Sequence, residues 1–377
     1  MKVYYFGTYD VYQPRTRVML EGLRQAGVEV VEYRTQLWSD TSHKVAVAQR
    51  PWTLFREMGQ MVHVYSSLAI RSAQIGRCDA VVYAHLGQLD LVLTAWWFRL
   101  RHIPIIWDAL VSLYDTVIND RGLLTGRSFW GWWLKRMDWL SGCLADVILV
   151  DTAQNRTFWQ TRFSVPSFKL QVVPVGAEDV FHTPARTEAH SRFQVLFYGK
   201  YIPLHGIETI IRAAKALELY KHISWTMIGI GQQRPHIDEL AKTLRVQNVD
   251  FVDWVPYQEI PACIAQADLC LGVFGTTDKA ARVVPNKVYQ ALASQCPVIT
   301  GDTPAARDIL LREGLEGALL VPCASPTALA EAVLELSRSP QRCAKLAQDG
   351  FELYQRYYSS QVIGRQVADL LAAFVRS

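Results

Sequence analysis

The sequence predicts an α/β chain made of two doubly wound parallel sheets. Short β-rich runs alternate with amphipathic helical runs along nearly the whole length. The alternation comes in two series, separated by Glu178–Arg192, which loses periodicity and gathers Thr183, Pro184 and Ser191. The chain has 377 residues, 50% apolar and 20% charged, which is enough for two domains with substantial cores. The expected division is 1–182, 183–355 and a helical tail, 356–377, that packs back toward the first domain.

In the first series, strands are expected at Lys2–Gly7, Val28–Tyr33, Asp79–Ala84, Pro104–Asp108, Asp146–Asp151 and Gln171–Val175, with helices such as Thr16–Ala26 and Trp130–Leu144 between them. In the second they are expected at Gln194–Gly199, Ser224–Gly229, Val249–Asp253, Asp268–Val273, Pro297–Thr300 and Ala318–Val321. Helices Ile207–Leu219, Pro235–Leu244 and Pro326–Ser337 alternate with these. In sheets of this kind ligands bind beyond the carboxyl ends of the strands.

Several classes are disfavoured. A net charge of +4 does not point to a nucleic-acid partner. The seven cysteines form no C-x-x-C pair and most sit in apolar runs, which suggests buried free thiols in a reducing compartment. The N-terminus, MKVYYFGTYD, enters a strand at once and lacks a signal-peptide pattern. No uncharged apolar run reaches the ~18 residues of a membrane span. A cytoplasmic location is expected.

Three loops of the second series carry the chemistry. Gly199 allows a tight turn off its strand and Gly206 lets the backbone come close at the next helix start. Between them, Lys200 and His205 offer positive charge, and a helix N-terminus with cations suits a diphosphate. An ordinary turn with a solvated lysine is the plain alternative. Gly229-Ile230-Gly231 and Asp253-Trp254-Val255-Pro256 form the second set, suited to holding a nucleobase; the first lacks the rest of the dinucleotide fingerprint. The third is Arg282–Thr300. Pro285 opens a helix, Asn286 and Lys287 lie in its first turn, and Lys287 and Gln290 share a face. Gln290 can bond vicinal hydroxyls, while Lys287 or Arg282 can meet phosphate.

The order and spacing of these elements, from about Gln194 to Pro322, resemble the donor domain of GT-B glycosyltransferases, most closely family 4. The likeness extends more loosely to Gly7, the VSLYDT run at Val111–Thr116 and the Asp146–Asp151 strand. It implies two facing Rossmann-like domains with the ligand cleft between them, and a nucleotide-diphosphate sugar, UDP- or GDP-linked, as co-substrate without a cofactor. In that family an arginine and a lysine hold the diphosphate, and here Lys200 and His205 take their places. The family's Glu-x7-Glu pair falls on Arg282 and Gln290, so both carboxylates are absent. Gln290 retains hydroxyl bonding, whereas Arg282 would pair with phosphate or an acidic sugar.

In the first domain Gly7-Thr8-Tyr9-Asp10 closes the first strand, and Gly7 is expected beside the donor. Asp10, Arg15, Arg17 and His85 are candidate acceptor contacts. Asp108 and Asp115 rank first for bonding the acceptor hydroxyl, with a buried aspartate capping a helix as the plain alternative. On the helix near Phe129–Leu144, Trp130, Trp133, Met137 and Leu140 form an expected inward stripe. Trp132, Lys135, Arg136 and Trp139 share a second face suited to a membrane interface, or to a covering loop. By resemblance the expected reaction is metal-independent sugar transfer to an acceptor hydroxyl with retention, the acceptor being a glycan or lipid-linked precursor and Lys200 and His205 acting on the departing diphosphate. No D-x-D metal motif stands at an expected site. A nucleotide-sugar 2-epimerase and a non-catalytic sugar-nucleotide-binding protein are the alternatives.

Overall fold

The structure is a computed structural model whose described residues are 1–35, 64–68, 70, 72, 76–182 and 192–376. The chain divides into two compact units. Unit 1 comprises Met1–Ile118, Gly122–Pro174 and Ser360–Ser377, and unit 2 comprises Asn119–Arg121 and Val175–Ser359. The sequence suggested divisions at 182/183 and 355/356. The structure carries Val175 onward into unit 2, where Ala177 N donates to Tyr358 O at 3.1 Å and Ser294 Oγ to Phe181 O at 2.8 Å. Of the expected linker, residues 183–191 lie outside the described residues.

The sheet of unit 1 is formed by β1 (Lys2–Gly7), β2 (Glu29–Arg34), β3 (Ala80–Tyr83), β4 (Ile105–Asp108), β5 (Val147–Val150) and β6 (Leu170–Val172). All are parallel, in the order β2-β1-β3-β4-β5-β6. β3, β4 and β5 are buried along their whole length, as strands covered on both faces require. The helices are α1 (Pro14–Gln25), α2 (Gln88–Leu100), α3 (Phe129–Leu144) and α4 (Ala153–Phe163). Ser128 and Thr152 cap α3 and α4 by accepting from Gly131 N and Asn155 N, both at 3.0 Å. In this fold the order of the strands reverses between β1 and β3, so the loops after those strands form the crevice.

Unit 2 contains β7 (Phe193–Tyr198), β8 (Ile223–Ile228), β9 (Val249–Val252), β10 (Leu269–Leu271) and β11 (Val298–Gly301). A small antiparallel pair follows, β12 (Leu311–Arg312) with β13 (Leu315–Glu316), then β14 (Leu319–Val321). The main sheet is parallel, in the order β14-β11-β10-β7-β8-β9. Here the reversal lies between β7 and β10. The helices are α5 (Ile207–Ala216), α6 (Arg234–Leu244), α7 (Ile260–Ala265), α8 (Asn286–Ala293), α9 (Pro304–Leu310), α10 (Pro326–Arg338) and α11 (Pro340–Leu353). In α5, Ile207, Ile210, Ile211 and Ala214 recur at helical spacing and are buried against Phe197, Leu269 and Leu271.

The last helix, α12 (Ser360–Arg376), belongs to unit 1 and lies along α1. Gly22 and Gly364 meet there: a Cβ on Gly364 would stand 1.9 Å from the Gly22 carbonyl carbon. Two readings of the sequence are corrected. Trp130 is 52% exposed, so it does not belong to the inward stripe of α3. The buried residues of α3 are Gly131, Met137, Asp138, Ser141 and Gly142, because small residues let the helix approach its neighbours and Asp138 has donors to meet. Among the seven free cysteines only Cys270 and Cys296 are buried, and Cys143 is exposed. No helix among the described residues is long and apolar enough to cross a membrane.

Candidate active site

In unit 2 the loops after β7 and β10 meet at the point of strand reversal. The β7 loop leaves through Gly199 (φ +142°), turns at Pro203–His205 and enters α5 through Gly206 (φ +61°). A Cβ on Gly206 would lie 2.5 Å from the backbone of Phe274 and Gly275, so glycine is required. The two loops are zipped together: Phe274 N donates to His205 O at 3.1 Å and Gly275 N to Leu204 O at 3.2 Å. The β8 loop closes on the same turn, since a Cβ on Gly229 would stand 2.0 Å from Gly199 O and one on Gly231 2.6 Å from Tyr201 N. These glycines are therefore explained by loop-on-loop packing. Trp254, at the edge after β9, is 71% exposed and Val255 is half-buried.

Lys287 comes into this crevice from α8, whose first residue Asn286 follows extended Pro285. Its ammonium is buried and has no hydrogen-bond partner among the described residues. It lies 3.7 Å from the centre of the Phe197 ring, and a Cβ on Gly199 would meet it at 2.9 Å. Burial holds its pKa well below the ordinary lysine value. A buried cation with no acceptor is costly unless a ligand supplies one.

His205 departs from its expected role as a second cation. It is buried, and its Nδ1 bonds to the Lys200 carbonyl oxygen. Burial first, then the nearby Lys287 charge, depress its pKa well below the usual value, so the ring is neutral. Lys200 itself is exposed. Arg282 is half-buried and its Nε donates to Asp278 O at 3.1 Å.

Gln290 is 2% exposed and sits in a directed chain. Tyr198 donates to Gln290 Oε1 at 2.9 Å, Gln290 Nε2 donates to Tyr257 at 2.9 Å, and the Tyr257 hydroxyl donates to Glu178 Oε1 at 2.8 Å. A hydroxyl ligand at Gln290 would thus compete with internal partners. Tyr198, Tyr257 and the buried Glu178 carried no local signal in the sequence, being brought together from three separate elements.

In unit 1, Gly7 (φ +132°) and Thr8 dock on Asp90 in the first turn of α2, with Thr8 N donating to Asp90 Oδ2 at 2.7 Å. Arg15 and Asp108 pair with each other at 3.0 Å, both side chains at zero exposure, and Arg15 also donates to the Val173 and Pro174 carbonyls. This pair braces the ends of α1, β4 and β6, and neither member presents a group to a ligand in this structure. Asp10 accepts from Tyr12 N at 2.8 Å, Arg17 Nε donates to Val11 O at 3.2 Å, and His85 Nε2 lies 3.4 Å from Gln13 Nε2. Asp10 and His85 stand on loops at the carboxyl edge, and Arg17 lies near the start of α1. Asp115, buried, begins a single wide helical turn, and its amide donates to Ser112 Oγ at 3.0 Å. That loop is anchored by Asp138, which accepts from Ser112 Oγ, Leu113 N, Tyr114 N and Gln88 Nε2. Burial raises Asp138 to about 6 against those donors. Asp90 and Asp138 were missed, although each is a lone acid in an apolar helix.

Residues 192–339 match the family model described as "Glycosyl transferases group 1". The chain resembles the group 1 glycosyl transferases. It has the GT-B fold, with two parallel six-stranded sheets. Anabaena HepE, solved in complex with UDP and glucose, covers 98% of this chain and 99% of its own at 13% identity, TM-score 0.71. Sucrose-phosphate synthase from Thermosynechococcus elongatus covers 100% and 99% at 16% identity, TM-score 0.71. A glycosyltransferase from Rickettsia africae covers 100% and 99% at 11% identity, TM-score 0.64. No curated protein matches the chain by sequence. No group of three or more metal-ligating side chains occurs among the described residues.

Proposed function

We propose that the protein is a retaining glycosyltransferase that moves a sugar from a nucleotide-diphosphate sugar to an acceptor hydroxyl without a metal. The buried ammonium of Lys287 beside Gly199 carries this reading. A diphosphate seated against the β7 turn and the N-terminus of α5 would supply the acceptor that Lys287 lacks. Solved neighbours hold UDP and UDP-glucose, which favours a UDP-linked donor here.

In this mechanism Lys287, Lys200 and the α5 amides stabilise charge as the sugar leaves its diphosphate. Such fixed donors usually provide the largest share of rate enhancement. His205, neutral and tied to the Lys200 carbonyl, orients the turn and contributes no charge. Trp254 offers a face for the nucleobase. The proposed acceptor contacts are His85 and Asp10 on carboxyl-edge loops of unit 1, Arg17 near the start of α1 and Asp115 at the helical turn, and a glycan or lipid-linked hydroxyl is the proposed acceptor.

A second reading is a sugar-nucleotide-binding protein without turnover, favoured by the committed hydrogen bonds of Gln290. Release of UDP from UDP-glucose, followed by phosphorus NMR, separates the two. Slow release by the wild type is expected, with roughly a hundredfold loss in Lys287→Ala or Lys200→Ala. Binding without release supports the second reading, and an unaffected Lys287→Ala removes Lys287 from the mechanism. Anomeric proton NMR of the product reports retention.

A further inference from the structure

The outer surface of α2 and α3 in unit 1 has a composition that sugar transfer does not require. On α2, Leu93, Trp96 and Leu100 are 43%, 53% and 70% exposed at three- and four-residue spacing, and on α3 Phe129, Trp132 and Trp139 are 67%, 53% and 41% exposed. The helices pack together, and Arg99 Nη2 of α2 donates to Cys143 O and Leu144 O of α3 at 3.2 and 3.0 Å. Exposed aromatic residues in such numbers on one helix pair mark an interaction surface.

The charges are segregated in the same way. The acids of the two helices, Asp90 and Asp138, are 2% and 0% exposed and hold inner loops. The cations stay outside. Arg136 is exposed and lies over the Trp132 and Trp139 rings at 5.5 and 5.6 Å, Lys135 beside it is half-buried, and the exposed Arg101 lies over Trp97 at 5.8 Å. Asp146, just past α3, is 3.9 Å from Arg99 and offsets that one charge.

We propose that the α2–α3 surface docks the protein onto an anionic lipid bilayer, with the tryptophans at headgroup depth and Lys135, Arg136 and Arg101 against lipid phosphates. Amphipathic rings interleaved with cations, with the carboxylates turned inward, complement an anionic headgroup layer. The surface belongs wholly to unit 1, so the inference stands whether or not sugar transfer is confirmed.

The test is flotation of the full chain with phosphatidylcholine vesicles, with and without 30% phosphatidylglycerol, at two salt concentrations. Binding is expected with the anionic vesicles, at least about tenfold weaker with the neutral ones, and weakened by salt. The doubly substituted Lys135→Glu/Arg136→Glu should lose at least about tenfold in binding to anionic vesicles. Phe129→Ser/Trp132→Ser, which removes exposed rings only, should lower binding to both while nucleotide binding stays unchanged. The proposal is overturned by absent binding, by equal binding of both variants and wild type, or by a concentration-dependent dimer in sedimentation that the same variants dissolve.

Discussion

Gln290 holds an amide where the resemblance read from the sequence implies a carboxylate, and its neighbours suit the amide. The Tyr257 hydroxyl has one hydrogen and donates it to Glu178, so the Tyr257 oxygen needs a donor, which Gln290 Nε2 supplies. A carboxylate at 290 would accept from Tyr198 but leave Tyr257 without that donor and add a negative charge near Glu178. Gln290→Glu is therefore expected to cost about 1–3 kcal/mol in urea unfolding at pH 8 and less at pH 5, where a protonated carboxyl donates again. Adding Glu178→Gln should restore stability by reversing the chain of donors. Lys287 gives a prediction of opposite electrostatic sense. Its folded pKa lies below the unfolded value, so between the two the unfolded chain binds more protons and stability rises with pH. A diphosphate beside the ammonium favours its protonated form. Calorimetry of UDP binding in two buffers of different ionisation enthalpy should show uptake of a fraction of a proton, and affinity should weaken as pH rises. Lys287→Met should abolish the uptake.

At the scale of elements, the contact between α1 and α12 depends on two glycines. Gly22 and Gly364 let the backbones approach more closely than any Cβ allows. Gly364→Leu is expected to destabilise unit 1 by about 1–3 kcal/mol or more, since overpacking forces backbone shifts. Thermal unfolding should show a lower first transition, with early proteolysis of the C-terminal helix. α3 shows the same logic from the other side. Its burial is decided by Gly131, Ser141, Gly142 and the four donors around Asp138, so Trp130, Trp132 and Trp139 are left outward although hydrophobic spacing turned Trp130 inward.

For the whole molecule, the two units give a thermal prediction. UDP at about a hundred times its Kd should stabilise the nucleotide-holding unit by about 2.7 kcal/mol. That raises its melting temperature by roughly 5–10 °C, and the unit 1 transition should move less; a shift of unit 1 alone would contradict the assignment. The sequence by itself determined the two parallel sheets and most strand positions to within a residue or two. Runs of buried β-branched and aromatic residues, helix-starting prolines and turn glycines act locally, so they can be seen in order along the chain. Only the tertiary structure decided what the side chains do. Arg15 and Asp108, apparent ligands in sequence, neutralise each other in the core; His205, an apparent cation, is neutral; Lys287 is a buried amine with no hydrogen-bond partner among the described residues. Burial and pairing set charge and availability, and both depend on residues far apart in sequence.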